Sequence, residues 1–403
     1  REGAGLSSSL AVSLRATTFT EEFRTRGNAD SRVMLLRSET RLSPWQRGVQ
    51  ADVFYEFSNQ RSARLERVFM RVPRGEGSYR YLGDLNNNGI ADEEEFELTR
   101  FDGEYIVLLL PGEQLVPVGD VKASARIRIQ PSRLISREAT GLLAWIGLLS
   151  SETFFRIDER SSDERSSNVY LLRLGTFLND RTTIAGSRQF LNDVYVSEGN
   201  PDFSLRLRID EREGLIQLVG GTERSRVRER SLRVRAHLLR EIGNQTDVSF
   251  RKDRVAASVR TPRERDIVGT TLESDFYYRP EPAWEVGFRF GVGNREDRIG
   301  GEQATADLND QSVRAVYAFP GRGQLRAETG REEVVLTRPY AEPGKALPYE
   351  LTGGRVVGKS FLWSLAFDYR ITQNIQLSVG YNGRSEGKRT PVHTARAEAR
   401  AFF

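Results

Sequence analysis

"WSLAFDYRITQNIQLSVGY", residues 363–381, decides the fold. Trp363, Leu365, Phe367, Tyr369 and Ile371 fall on alternate positions, opposite Ser364, Asp368 and Arg370. Alternation of this length is the mark of a strand with one apolar and one polar face. Thr372–Asn374 then reverses the chain into "IQLSVGY" (375–381). The pattern recurs in "FSLRLRI" (203–209), "LRVRAHL" (232–238), "VGFRFGV" (286–292) and "VRAVYAF" (313–319). No stretch of the second half carries a convincing helical period, so a parallel α/β architecture is excluded and the protein is mostly antiparallel β.

The connections sharpen this. Short turns are expected at Thr372–Asn374, Pro320–Gly323, Arg279–Ala283, Arg240–Asn244 and Asp210–Gly214. Longer polar connections are expected near residues 384–390, 335–358, 294–311, 253–265, 221–230 and 179–202. Short and long links in alternation describe an outer-membrane β-barrel, with tight turns at one rim and long loops at the other. The ending "TARAEARAFF" (394–403) sets Ala395, Ala397, Ala399, Ala401 and Phe403 on one face and Arg396, Glu398 and Arg400 on the other. Its terminal aromatic resembles the signal that such barrels present to their insertion machinery.

About thirteen strand candidates follow Thr140, and "LAVSLRATTF" (10–19), "SRVMLLRSETRL" (31–42) and "VQADVFYEFS" (49–58) add three. The expectation is an all-β, antiparallel outer-membrane barrel of roughly 14 to 16 strands. Residues 1–135 read as a β-rich N-terminal region able to contribute barrel strands, and residues 136–403 as the barrel. A lumen lined by Arg, Glu and Asp explains the mean hydropathy of −0.51. Trp284, Trp363, Tyr369 and Tyr381 suit an interfacial girdle. The same strands could build a soluble, calcium-stabilised β-sandwich adhesin, which is the alternative; an outer-membrane enzyme comes third.

Composition excludes several classes. The 403 residues include 60 basic and 56 acidic side chains, a net charge of +4, and only five of the basic residues are lysine. The richest arginine run, Glu223–Arg240, alternates with acids or apolar residues instead of forming a basic patch interleaved with aromatics, so no nucleic-acid partner is expected. Zero cysteines exclude disulfides and thiol chemistry. Two histidines, His237 and His393, do not suit a histidine triad or a multi-histidine metal site. "GLLAWIGLL" (141–149) is about half of the roughly 20 residues a membrane helix needs. "REGAGLSSSLAVSLRATTF" (1–19) lacks the apolar core of a signal peptide, as in a chain that begins after processing or is part of a longer one. "DERSSDERSS" (158–167) reads as a solvated turn, and "GVGNREDRIGG" (291–301) as a flexible outer loop without a phosphate cradle.

"DLNNNGIADEEE" (84–95) is the one chemically exacting spacing. Asp84, Asn86, Asn88, Ile90, Asp92 and Glu95 fall where a calcium loop places its oxygen ligands, with Gly89 at the sharp turn. Asp, Asn and Gly also make such a turn without metal. Calcium, if bound, would be structural and would stiffen a loop between strands.

The segment "FYEFSNQRSARLERVFMRVPRGEGSYRYLGDLNNNGIADEEEFE" (54–97) resembles one recurring in large outer-membrane surface proteins of the Bacteroidota and relatives, some of which belong to the gliding-motility and type IX secretion apparatus. Residues 361–403 resemble the C-terminal strands of such proteins. Together these segments cover about a fifth of the chain. The resemblance implies an outer-membrane barrel and no reaction, and it suggests the C-terminal part of a longer protein. The function expected is non-enzymatic: a channel, a translocon-like component or a scaffold, with outer-membrane lipid and other envelope or surface proteins as partners.

Overall fold

The computed structural model describes residues 5–25, 31–136, 138–163, 167, 170–258, 264–299, 303–340 and 347–402. Phe403, the terminal aromatic, lies outside them. One sheet contains 18 strands. In chain order they are β1 (Gly5–Thr17), β2 (Ser31–Ser43), β3 (Val49–Arg71), β4 (Gly77–Tyr81), β5 (Phe96–Gly103), β6 (Tyr105–Ile129), β7 (Leu149–Ser161), β8 (Thr183–Val196) and β9 (Phe203–Leu218). There follow β10 (Gly221–His237), β11 (Ile242–Ala257), β12 (Arg265–Tyr278), β13 (Trp284–Asp297), β14 (Ala304–Phe319), β15 (Gly323–Arg338), β16 (Gly358–Arg370), β17 (Ile375–Glu386) and β18 (Val392–Ala401).

The count exceeds the roughly 14 to 16 expected of an even-numbered barrel, because β4 and β5 pair with each other as a hairpin of their own. The remaining strands form a meander in which β3 pairs directly with β6 across that excursion. Residues 5–129 therefore supply β1, β2, β3 and β6 to the same sheet as the rest. Among the described residues no ladder joins β1 to β18, the two ends of the meander.

Contacts from one element fix the concave face. The excursion between β3 and β6, with the end of β3, reaches Glu223 on β10, Glu332 on β15 and Arg384 on β17. Strands so far apart in a meander meet one element only if the sheet curls around it. Carried along the registers, this places Arg233 and Asp247 inside, while Leu232 and Val248 stand opposite each other outside. On β13 the outward Trp284, Val286, Phe288 and Val292 are each 43% to 46% exposed. From Trp284 to Val292 is about 26 Å along a strand, or about 20 Å of height at a barrel's usual tilt, near the ~25 Å of a lipid-facing band.

Aromatic rings bracket this band. Near the short turns Trp284 packs on Tyr317 with centroids 4.6 Å apart, Tyr317 on Phe319 at 4.8 Å, and Phe319 on Tyr369 at 5.5 Å. Toward the other rim Trp363, Tyr381 and His393 cluster on the outer face of β16–β18, and Trp363 Nε1 donates to the Tyr381 hydroxyl at 3.4 Å.

The rims differ as the connections require. One carries links 197–202, 238–241, 279–283, 320–322 and 371–374, with one longer link at 130–148 that contains the short helix Leu142–Gly147. The opposite rim carries 72–104, 162–182 and 339–357. Three expected connections are instead strand. Asp210–Gly214 lies inside β9 and residues 221–230 inside β10, while residues 183–196 of the supposed 179–202 link form β8. The charges that suggested a turn face charges on the next strand: Arg226 stands opposite Glu213 and Arg228 opposite Glu211. Their ladder hydrogen bonds replace the water a turn would have needed. Likewise Gly291–Asp297 belongs to β13, so much of the supposed outer loop is barrel wall.

Residues 170–182 fold over the convex wall. Leu172 and Phe177 pack against the buried Phe57 and Val121, the Tyr55 hydroxyl donates to the carbonyl of Tyr170 at 2.7 Å, and the buried Glu159 accepts from Leu178 N at 3.2 Å.

Candidate functional site

The site begins where β3 and β6 outrun their neighbours. β2 pairs with β3 only over Ala51–Ser58, and β7 with β6 only over Gly119–Ile129. The rest of the β3–β6 ladder rises as a two-stranded arm, with a bulge between Ala63 and Leu65. There Arg64 alone on β3 stands against residues 112–114 of β6, and the unequal lengths bend and twist the pair. Below the bulge Phe57 faces outward with Val121; above it Arg67 faces inward. The arm then leans across the mouth to the β9–β10 turn, where Val219 N donates to the Leu65 carbonyl at 3.0 Å.

An aromatic core stiffens the end of this lid. Phe96 on β5 stacks on Phe69 with centroids 3.8 Å apart, and Tyr105 and Tyr81 pack on Phe96 at 5.1 and 5.2 Å. Burial and the charge of Glu95 push the Tyr81 hydroxyl pKa up.

The loop Asp84–Glu95 joins β4 to β5 on this lid and links the sequence-selected metal positions by hydrogen bonds, while Asp84, Asp92 and Glu95 do not converge as a metal-holding cluster among the described residues. Asp84 accepts from Asn88 N and Gly89 N at 3.2 and 2.8 Å. Asn86 and Asn88 donate their side-chain amides to Asp92 at 2.8 and 2.7 Å, holding its carboxyl below the usual range. Glu95, buried, accepts from Leu85 N and Asp92 N at 2.8 and 3.2 Å, and Ile90 N donates to Asn88 at 2.6 Å. The donor set is oxygen-rich, as calcium requires, yet hydrogen bonds already close the loop. A cation would have to turn the two asparagine amides away from Asp92 and take up carboxylate lone pairs now held by backbone N–H groups.

The lid is latched to both walls by charge. On one side Arg67, itself only 7% exposed, donates to both oxygens of Glu93 at 2.6 Å and to Glu223 at 3.1 Å. On the other, Arg100 on β5 forks onto Glu332 at 2.6 and 3.0 Å, while Asp102 pairs with Arg384, whose guanidinium lies 4.6 Å from the Phe101 ring centroid. Glu332 serves a second element. Tyr340 and residues 347–357 turn inward, so that Tyr340, Leu347 and Leu351 pack on the inward Ile267, Ala306 and Val334. Arg355 of this segment meets Asp310 at 2.7 Å and Glu332 at 3.6 Å.

Between lid and inward loop lies a chamber of about 1880 Å³, lined among others by Tyr79, Tyr105, Arg265, Tyr349, Arg355 and Arg384. Its lining includes no serine, cysteine or histidine among the described residues, and its arginines and acids are largely engaged with one another. Charged and aromatic side chains dominate this surface.

Sequence reading singled out the loop and missed the latches. Arg100 and Glu332 are 232 positions apart, and Asp102 and Arg384 are 282 apart; no local spacing announces such pairs.

No family model matches the chain, and no curated protein matches it. Among solved structures it is similar to the FrpB iron transporter from Neisseria meningitidis, at 10% identity and a TM-score of 0.38, covering 95% of this chain and 65% of that one. A monoaromatic hydrocarbon channel, a TodX deletion mutant, is similar at 9% identity and a TM-score of 0.25, covering 99% of this chain and 90% of that one. These likenesses are too low to carry the fold, which rests on the ladders and faces described above.

Proposed function

We propose that the chain is an outer-membrane β-barrel that works as a gated channel, with the β3–β6 arm and its β4–β5 hairpin as the gate, and that it catalyses no reaction. The observation that carries this reading is a lid held across one rim by ion pairs to opposite walls, where a change of hydration or cargo can break them without unfolding the barrel. The exposed apolar band on the convex wall supports the membrane location, since a soluble sandwich would bury those side chains. The long-link rim faces outward in this reading and the short turns face the periplasm. Membership among Bacteroidota surface proteins, and docking of other envelope proteins on the lid, are part of the same proposal, supported by the resemblance of residues 54–97 and 361–403. Calcium at Asp84, Asn86, Asn88, Ile90, Asp92 and Glu95 is proposed as a structural ligand, supported by spacing and donor type.

The test is cell fractionation with heat-modifiable gel migration, then conductance in planar bilayers. Outer-membrane recovery, a shift on boiling and discrete opening events are expected. Release as a detergent-free soluble protein would replace the barrel with the adhesin; a barrel that never conducts would leave a scaffold.

A further inference from the structure

Four arginines, Arg224, Arg226, Arg228 and Arg230, occupy successive outward positions of β10. Arg230 marks the upper edge of the apolar band, with Ile209 opposite on β9 and Phe250 opposite on β11. Above it the two faces of the β10–β11 ladder differ. Inside, opposite charges confront each other across the β10–β11 ladder, Arg233 against Asp247 and Arg251 against Glu229. Outside, like charges do: Arg228 stands directly opposite Lys252, and Arg226 directly opposite Arg254. Like charges in register destabilise a sheet.

Nearby acids answer part of this charge. Arg226 pairs with Glu213, and Lys252 with Asp266 at 3.3 Å. The nearest carboxylate to Arg228 is at 3.9 Å. Arg230 and Arg254 have no ion pair among the described residues, and both are exposed. The unanswered cations thus cluster on two strands, immediately above a surface suited to acyl chains.

We infer that the outer face of β10–β11 is a binding site for a membrane lipid with a phosphorylated headgroup, its acyl chains against Leu232, Val234, Val248 and Phe250 and its phosphate against Arg228, Arg230 and Arg254. The guanidinium fork matches phosphate oxygens two at a time, and an anion between the strands relieves the like-charge register. The inference rests on the outer-membrane reading, because the site exists only where lipid meets this wall.

The experiment compares the detergent-solubilised barrel with a variant carrying Arg228→Gln, Arg230→Gln and Arg254→Gln, which spares the Arg226–Glu213 pair. Native mass spectrometry follows retention of bisphosphorylated lipid A, its dephosphorylated form and phosphatidylcholine, with inorganic phosphate as competitor. The wild type is expected to hold lipid A about tenfold or more tightly than either control, and the variant to lose that preference. In lipid-free detergent the variant should unfold at the same temperature or higher, and only the wild type should be stabilised by added lipid A. Equal retention by both proteins, or displacement by equimolar inorganic phosphate, overturns the site while leaving the barrel. A chain that stays soluble without detergent overturns both readings.

Discussion

Glu332→Gln should open the gate. The substitution keeps the side chain's shape and removes the charge shared by Arg100 of the lid and Arg355 of the inward loop. Glu332 is 15% exposed and Arg100 31%. The pair therefore falls between exposed ion pairs, worth up to ~1 kcal/mol, and buried ones, whose disruption costs ~3–5 kcal/mol. Discounted for solvent screening, the Arg100 fork contributes about 1.5–2 kcal/mol to the closed state. At about 1.4 kcal/mol per factor of ten, the open-to-closed ratio should rise about 10- to 30-fold.

Planar-bilayer recording of single barrels reads that ratio directly as open probability. Arg100→Gln should have a similar effect, and the double variant should add little, because both changes remove one interaction. Raising salt to about 1 M, where the screening length falls to about 3 Å, should move the wild type toward the variants. An unchanged open probability in Glu332→Gln, or strict additivity in the double variant, would refute the latch.

Three further outcomes are expected. Phe288→Arg, in the middle of the apolar band on β13, should cost about 2–4 kcal/mol of stability in lipid, read as reduced assembly on heat-modifiable gels; normal assembly would argue against lipid contact there. Asp84→Ala with Glu95→Ala should speed proteolysis of residues 86–92 without changing barrel assembly, and calorimetry showing no calcium uptake by the wild type would remove the metal proposal. Because the two asparagine amides hold the Asp92 pKa below its unfolded value, its contribution to loop order is present above about pH 4 and is lost as pH falls through the depressed value. Side-chain amide NMR signals of Asn86 and Asn88 should therefore stay dispersed at neutral pH and collapse only in strong acid; collapse near pH 6 would refute that assignment.

What the sequence disclosed and what it hid divide along a physical line. Period-two patterns at residues 203–209, 232–238 and 363–371 found strands wherever a face was continuously apolar, since lipid or core selects one side of the pleat. The pattern failed at Asp210–Gly214 and residues 221–230, where both faces are charged and the strand continues because Arg and Glu confront each other across ladders. Single-sequence reading sees such runs as solvated turns. The Asp84–Glu95 loop was legible because its spacing is local. Arg67, Arg100, Glu332 and Arg384 were not, because their relation exists only once the meander has closed around the lid.

The bulge between Ala63 and Leu65 leaves the β3–β6 arm its reading frame. One residue of β3, Arg64, stands there against three of β6, residues 112–114, so β6 carries a surplus of two. Each strand assigns alternate residues to opposite faces, and an even surplus keeps that alternation in step while the unequal lengths bend the arm over the mouth. Removing one residue from 112–114 would exchange the faces of β6 beyond the break, whereas removing two would close the bulge and keep them. Changes of length at this point should therefore be tolerated by parity, even numbers surviving where a single loss does not.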